Sequence, residues 1–319
     1  MLVIVVLSLV SSLFYGTSDF LGAVAARRLS VLPATLVTYA LGAVVIAVAL
    51  LPGGWSWSAD AGVSGALAGL FAIVGFIAFY AALAIGPMSL LSPVIALIQA
   101  LVPVTAALVT GQGLSPLGWG AVALAVVATL LISRQHTDAP GQVTLPGAVL
   151  AVVSGVTLGA SVVALDSSPQ ESGLLPAFLE MAVGLVVLSC LIGVLRLARR
   201  EIPWFSAEAG TATDGPVPAA GTAEATAEPG REPGEPRGPR APQAAWAAAA
   251  AAGLLLGTAN ALLMLALHSG NLAVVSVLSS LYPLATVILA AVVLRERVAR
   301  IQVAGIALAL VAAVLLGLS

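Results

Sequence analysis

The chain has 319 residues, 60% of them hydrophobic and 8% charged, and a mean hydropathy of +1.11. Soluble domains carry about 25% charged residues, so this composition excludes a soluble globular domain and predicts an all-α integral membrane protein. All twelve basic residues are arginines, clustered at or beyond the ends of the apolar segments, which leaves no basic surface for nucleic acid. The net charge of -2 conceals local asymmetry, because seven of the fourteen acids fall between Glu201 and Glu235.

A bilayer-spanning helix needs about 20 apolar residues, and ten such segments follow one another: 2–24, 32–51, 62–85, 88–110, 116–133, 144–165, 174–197, 244–267, 272–294 and 299–318. The first contains "LFYGTSDFLGAVAARR" (13–28). Ala23-Val24-Ala25 has the small-x-small form of a signal-peptide cleavage site. The run nevertheless lacks a basic start, is interrupted by Tyr15-Gly16-Thr17-Ser18-Asp19, and meets its arginines only at the end, so it reads as a retained helix. Asp19 lies roughly 25 Å along that helix from Leu2 at 1.5 Å per residue, toward the interface where Arg27 and Arg28 follow. A cap or an ion pair with either arginine is its structural reading, and a coupling or substrate role its functional one. Tyr15 and Asp19 are four apart and share a face, with Ser18 alongside.

The short connections "IGPMS", "GQGLSP" and "HSGN" predict tight antiparallel hairpins. Pro93, Pro103 and Pro283 interrupt the fourth and ninth spans and can bend them. The pairs Gly155-xxx-Gly159 and Gly253-xxx-Gly257 are faces for close helix packing. In the seventh span, "LLPAFLEMAVGLVVL", Glu180 sits six residues in, about 9 Å deep. A carboxyl at the centre of a span costs about 2.5–3.5 kcal/mol on insertion scales and faces the bundle interior or a wet cavity. Glu180 is therefore either a structural acid hydrogen-bonded to a neighbouring helix or the proton-coupling or substrate group. Cys190, the one cysteine, excludes an intramolecular disulfide and a cysteine metal cluster; its apolar run predicts a small buried side chain. The few uncharged polar residues within spans include Tyr39, Tyr80, Gln99, Asn260 and Tyr282. Interhelical hydrogen bonding is their default, but their concentration on the first, second, third, fourth, eighth and ninth spans suggests a polar lumen. His268 reads as a loop or interface residue.

Residues 198–243 break the pattern. From Glu201 onward they are rich in Pro, Gly, Ala, Glu and Thr, too poor in bulky apolar groups to offset the entropy of ordering, and predict a disordered linker acting as a spacer.

The spans repeat. Residues 82–133 lie on 266–317 at an offset of 184 with 14 identities in 52 positions, and "VSSLFYGTS" (10–18) lies on "VSGVTLGAS" (153–161) at an offset of 143, as Pro33-Ala34 does on Pro176-Ala177. This predicts two inverted five-helix repeats, the first over 1–133 and the second over 144–197 and 244–319. Arg27 and Arg28 follow the first span whereas Gln170 and Glu171 occupy the equivalent place after the sixth. Arginines follow spans one, five, seven and nine, while Asp60, Asp166 and Glu171 lie in loops of the other face. The positive-inside rule places the arginine face in the cytoplasm and both termini outside.

The segment 278–318 resembles the last two helices of EamA-type members of the drug/metabolite transporter superfamily, with Pro283, Glu296, Gln302 and Gly305 at that pattern's positions. "YGTSDFLG" (15–22) is similar to the family's first-helix Trp-Gly-Ser pattern, with Tyr15 in place of Trp. In the first half Gln112 stands where Glu296 stands in the second, and Gln99 where Pro283 does. The resemblance implies a multi-pass protein of a bacterial inner membrane that carries a small organic metabolite or drug through a central cavity, without a cofactor. On that reading Glu180 or Asp19 couples protons or binds substrate, and Tyr15, Ser18, Tyr80, Gln99, Asn260 and Tyr282 line the cavity. The alternatives are a non-transporting scaffold whose linker recruits partners, and a membrane-embedded lipid enzyme. The latter needs clustered acid–base groups, and His136 and His268 lie in separate loops.

Overall fold

The computed structural model describes residues 2–26, 29, 31–85, 88–132, 144–197, 240–282, 285, 289 and 300–318. Among them every regular element is helical. The α-helices are α1 (Leu2–Ala26), α2 (Val31–Gly53), α3 (Ala59–Ile85), α4 (Met88–Val109), α5 (Pro116–Ile132), α6 (Leu145–Asp166), α7 (Leu175–Leu197), α8 (Arg240–Ser269), α9 (Leu272–Ser279) and α10 (Arg300–Leu318), with a 3-10 turn at Gln170–Ser172. Six of them contain a stretch long and apolar enough to cross a bilayer, namely Leu2–Gly22, Leu32–Gly53, Ala59–Phe79, Leu145–Asp166, Leu175–Leu195 and Gln243–Ser269. Shorter apolar stretches lie in α4, α5 and α10. Arg27, Arg28, His136, Pro283, Glu296 and residues 198–239 of the expected linker lie outside the described residues, as does the side chain of Tyr80; residues 240–243, expected in the linker, instead form the first turn of α8.

Local chemistry sets several ends. Thr144 caps α6, its hydroxyl accepting from the Gly147 N–H, and Pro146 occupies the first turn, where its missing N–H costs nothing. Asn271 caps α9 by accepting from the Ala273 N–H at 2.9 Å. Between α6 and α7 the chain turns at Gly173 with φ +57°, a conformation that disfavours side chains. Ser56 ties the α2–α3 connection to that turn by donating its N–H to the Glu171 carbonyl at 3.0 Å.

Helices α1 and α8 pack along their length, and so do α3 and α6; α8 also packs on α2, α3 on α7, α4 on α6, and α5 on α10. Small residues make these approaches close. A Cβ on Gly253 would lie 2.7 Å from the Thr38 carbonyl oxygen and one on Gly257 only 2.5 Å from that of Gly42. Across the bundle, Gly65 sits on Pro176 and Gly69 on Glu180, where a Cβ would come within 2.7 Å of the Glu180 carbonyl. The expected role of Gly155 and Gly159 also holds, since they pack against Ile98 and Val102 of α4. Large apolar side chains such as Val48, Leu70, Val186 and Val314 point outward, as suits a surface bathed in lipid, where packing of small residues rather than water exclusion holds helices together. Trp55, Trp57, Trp119 and Trp246 are exposed near helix ends, the positions that interfacial tryptophans occupy. Cys190 corrects the sequence expectation: it is exposed on the outer side of α7, because lipid accepts an apolar thiol as readily as a core does.

Four serines bind these helices with one spacing. Ser11 donates to the Ala259 carbonyl at 2.8 Å and Ser18 to that of Ala252 at 2.9 Å, which joins α1 to α8. Ser154 donates to the Gly75 carbonyl and Ser161 to that of Ala68, both at 3.0 Å, which joins α6 to α3. The serines are 143 apart and their acceptors 184 apart, the two offsets at which the sequence aligns with itself.

Candidate functional site

The site forms where α1, α2, α3, α7 and α8 meet. Ser18, Asp19, Thr35, Thr38, Tyr39 and Phe76 line a cavity of about 40 Å³, room for about three waters at 10–15 Å³ each. Asp19 is exposed to this space rather than packed at a helix end, and among the described residues no cation pairs with it. At that end of α1 the chain is closed by small residues, with Ala25, Ala34 of α2 and Ala249 of α8 buried against one another. Ser18 lines the same space while its hydroxyl is held by Ala252. The Tyr39 ring meets Phe76 edge-on at 6.1 Å and 85°. Tyr39 also fills the place that a side chain at residue 184 would take, where a Cβ on Gly184 would lie 2.5 Å from its ring.

Deeper lies a polar centre. Tyr15 donates its hydroxyl to Asn260 Oδ1, and the Asn260 amide points at the Met181 sulfur at 3.7 Å. Asn260 and Met181 are almost completely buried. Glu180, next to Met181, is 6% exposed. Its Oε1 accepts from Ser161 Oγ at 3.3 Å and its Oε2 has no hydrogen-bond partner. Ser161 has one hydroxyl hydrogen, which also serves the Ala68 carbonyl at the shorter 3.0 Å, so the carboxyl is only weakly held. Tyr282 packs its carbonyl against Gly16 of α1, next to Tyr15. The structure thus brings together Tyr15, Ser18, Asp19, Glu180, Asn260 and Tyr282.

Gln99 is placed differently. Its carbonyl packs on Gly159, where a Cβ would lie 2.9 Å away, just as the Tyr282 carbonyl packs on Gly16. These contacts pair Gln99 with Tyr282 rather than with Pro283, one residue from the sequence alignment; of the expected cavity residues Ser18 lines the cavity beside Asp19, whereas Tyr15, Gln99, Asn260 and Tyr282 do not.

At the opposite end of the bundle a second set of polar contacts joins the helix ends. His268 Nε2 lies 3.2 Å from Ser168 Oγ, Gln170 Nε2 donates to the His268 carbonyl at 2.9 Å, and the Leu272 N–H donates to Gln112 Oε1 at 3.0 Å. The sequence reads His268 as a loop or interface residue, and it stands in the last turn of α8 at an interface. The sequence had no signal for Ser168, whose partner lies 100 residues away.

A family model described as the EamA-like transporter family matches residues 2–134 and 234–318. A solved crystal structure is similar over 99% of this chain and 96% of that chain, with a TM-score of 0.67 and 19% identity, a likeness of fold alone. The comparison with curated proteins gives no match.

Proposed function

The chain belongs to the EamA-like transporter family, and on that premise we propose that it is a secondary transporter exporting a small organic metabolite or drug by alternating access. The observation that carries this reading is the doubled serine geometry. Ser11 and Ser18 hold α8 as Ser154 and Ser161 hold α3, which supports two inverted five-helix repeats, 1–133 and 144–197 with 244–319, ten spans in all, and 198–243 as a linker. Related halves of this kind give two states of similar energy, open to opposite faces, when each adopts the other's conformation.

The cavity beside Asp19 is the entry vestibule. It lies between the end of α1 and the start of α2, the face whose loops carry arginine, and loop charge makes that face cytoplasmic in a bacterial inner membrane with both termini outside. Entry from the cytoplasm is export. Tyr15, Asn260 and Tyr282 are the substrate-facing groups at the centre. Glu180, buried and weakly held, is the proton carrier, since a carboxyl of this kind is the group by which membrane transporters move protons.

The test uses purified protein in proteoliposomes. A metabolite-dependent thermal-shift screen supplies a substrate, and its flux is measured with an imposed pH gradient. The reading expects saturable flux without ATP whose pH dependence is abolished in Glu180→Gln. Unchanged pH-dependent flux in that variant removes Glu180 from the coupling role.

A further inference from the structure

The geometry points to a second vestibule, sealed in this structure, whose acid is Glu180, so that Asp19 and Glu180 take turns facing solvent at opposite ends of the bundle. The inference rests on the reading of two exchanging halves and adds to it which residues line the unseen state.

The contacts themselves supply the residue-by-residue correspondence. Ser18 with Ala252 matches Ser161 with Ala68. For α2 and α7, Gly253 lies on Thr38 and Leu41 as Gly69 lies on Glu180 and Val183. In the same register Gly42 faces the Met181 sulfur as Gly184 faces the Tyr39 ring. Thr38 therefore corresponds to Glu180 and Tyr39 to Met181, an offset of 142, one short of what the paired prolines suggest. Prolines mark where each helix begins, whereas the glycines set where the helices touch.

Carrying the open cavity through this correspondence turns Ser18, Gly22, Thr35, Thr38, Tyr39 and Phe76 into Ser161, Leu165, Ala177, Glu180, Met181 and Asn260. All six are buried, between 0% and 6% exposed, whereas in the open cavity Ser18 and Tyr39 are buried, Gly22, Thr35, Thr38 and Phe76 are half-buried and Asp19 is exposed; Val162, the counterpart of Asp19, is half-buried. One vestibule is open and its counterpart packed shut. Its mouth would lie between the end of α6, the start of α7 and the end of α8, the place where Gln170 and Ser168 reach His268. Those contacts form the seal. The unpartnered Oε2 of Glu180 then has a reason: its partners are water or a bound cationic group in the state that opens this side, because leaving a buried carboxyl oxygen without partners serves no packing purpose. Asp19 corresponds to Val162 and Glu180 to Thr38, so each vestibule carries one carboxyl.

Carboxyl footprinting tests this on the full-length protein in nanodiscs, with carbodiimide-coupled glycine ethyl ester as probe and mass spectrometry as readout. In the unaltered protein Asp19 reacts about tenfold faster than Glu180. In Gln170→Ala/His268→Ala, where the seal is cut, Glu180 labelling rises several-fold and that of Asp19 falls. Gly22→Trp acts in the other direction: a Cβ at Gly22 meets nothing within 4 Å, the ring props the open vestibule, and Glu180 labelling drops below that of the unaltered protein. If the double variant does not fold, Gly22→Trp alone decides. Glu180 labelling that is unmoved or increased by Gly22→Trp, or that rises together with Asp19 in the double variant, overturns the proposal. Flux of a stabilising ligand in the same preparations separates the two readings: flux with Glu180 sealed throughout removes the second vestibule and leaves the transporter, whereas reciprocal labelling without flux does the reverse.

Discussion

Removing the Tyr15 hydroxyl leaves Asn260 Oδ1 without its donor in a site that is 2% exposed for the asparagine. Tyr15→Phe should therefore lower stability by about 0.5–1.5 kcal/mol, the usual span for an interhelical hydrogen bond in a membrane, and reduce the maximal flux by a larger factor than it changes folding. Thermal unfolding and initial flux measured side by side check both. Residues of this kind were legible in part. An acid or a tyrosine inside an apolar run announces itself, which is why Glu180, Tyr15 and Asn260 stood out. Their partners did not, because Asn260 lies 245 residues from Tyr15 and no local pattern encodes that distance. Cys190 was misjudged for a related reason: hydropathy marks a helix as apolar all round, and on such a helix it does not say which side meets protein and which meets lipid. A lipid-soluble maleimide should label Cys190 readily and a charged one slowly; equal rates would place it in water.

Between elements, glycine contacts carry the packing. At Gly257 a Cβ would lie 2.5 Å from the Gly42 carbonyl oxygen, while at Gly193 it would meet nothing within 4 Å. Gly257→Ala should destabilise by about 1–3 kcal/mol, the range for overpacking, and Gly193→Ala should be neutral, as melting temperatures in detergent would reveal. The paired serines allow a sharper comparison. Ser11→Ala and Ser154→Ala remove equivalent bonds of 2.8 and 3.0 Å, each worth about 0.6 kcal/mol on average, so their stability losses should agree within about 0.5 kcal/mol. The sequence alignment already contained these serines, since Ser11, Gly16 and Ser18 sit on Ser154, Gly159 and Ser161. What it lacked was the register of α2 against α7 and of Gln99 in α4 against Tyr282 beyond α9, each one residue different, because contact register follows the packing glycines.

For the whole molecule, composition was enough to predict helices in a membrane, and self-alignment enough to predict halves. The contacts at the two ends were not legible: nothing in the order of residues says that Asp19 stands exposed beside a cavity while Ser168 and Gln170 reach His268 at the other end. Residues 201–239 lack the apolar groups to pack, so deleting them while keeping a short flexible connection should leave flux within about twofold, provided the connection still spans its ends. Exchange of a small organic solute through alternately exposed sites is what counterflow reads out. Vesicles loaded with an unlabelled ligand from the thermal-shift screen are diluted into trace labelled ligand, without ATP or an ion gradient. The account predicts a transient accumulation of label above equilibrium, abolished in the Tyr15→Phe/Glu180→Gln double variant; a ligand that stabilises the protein saturably yet gives no accumulation would contradict it.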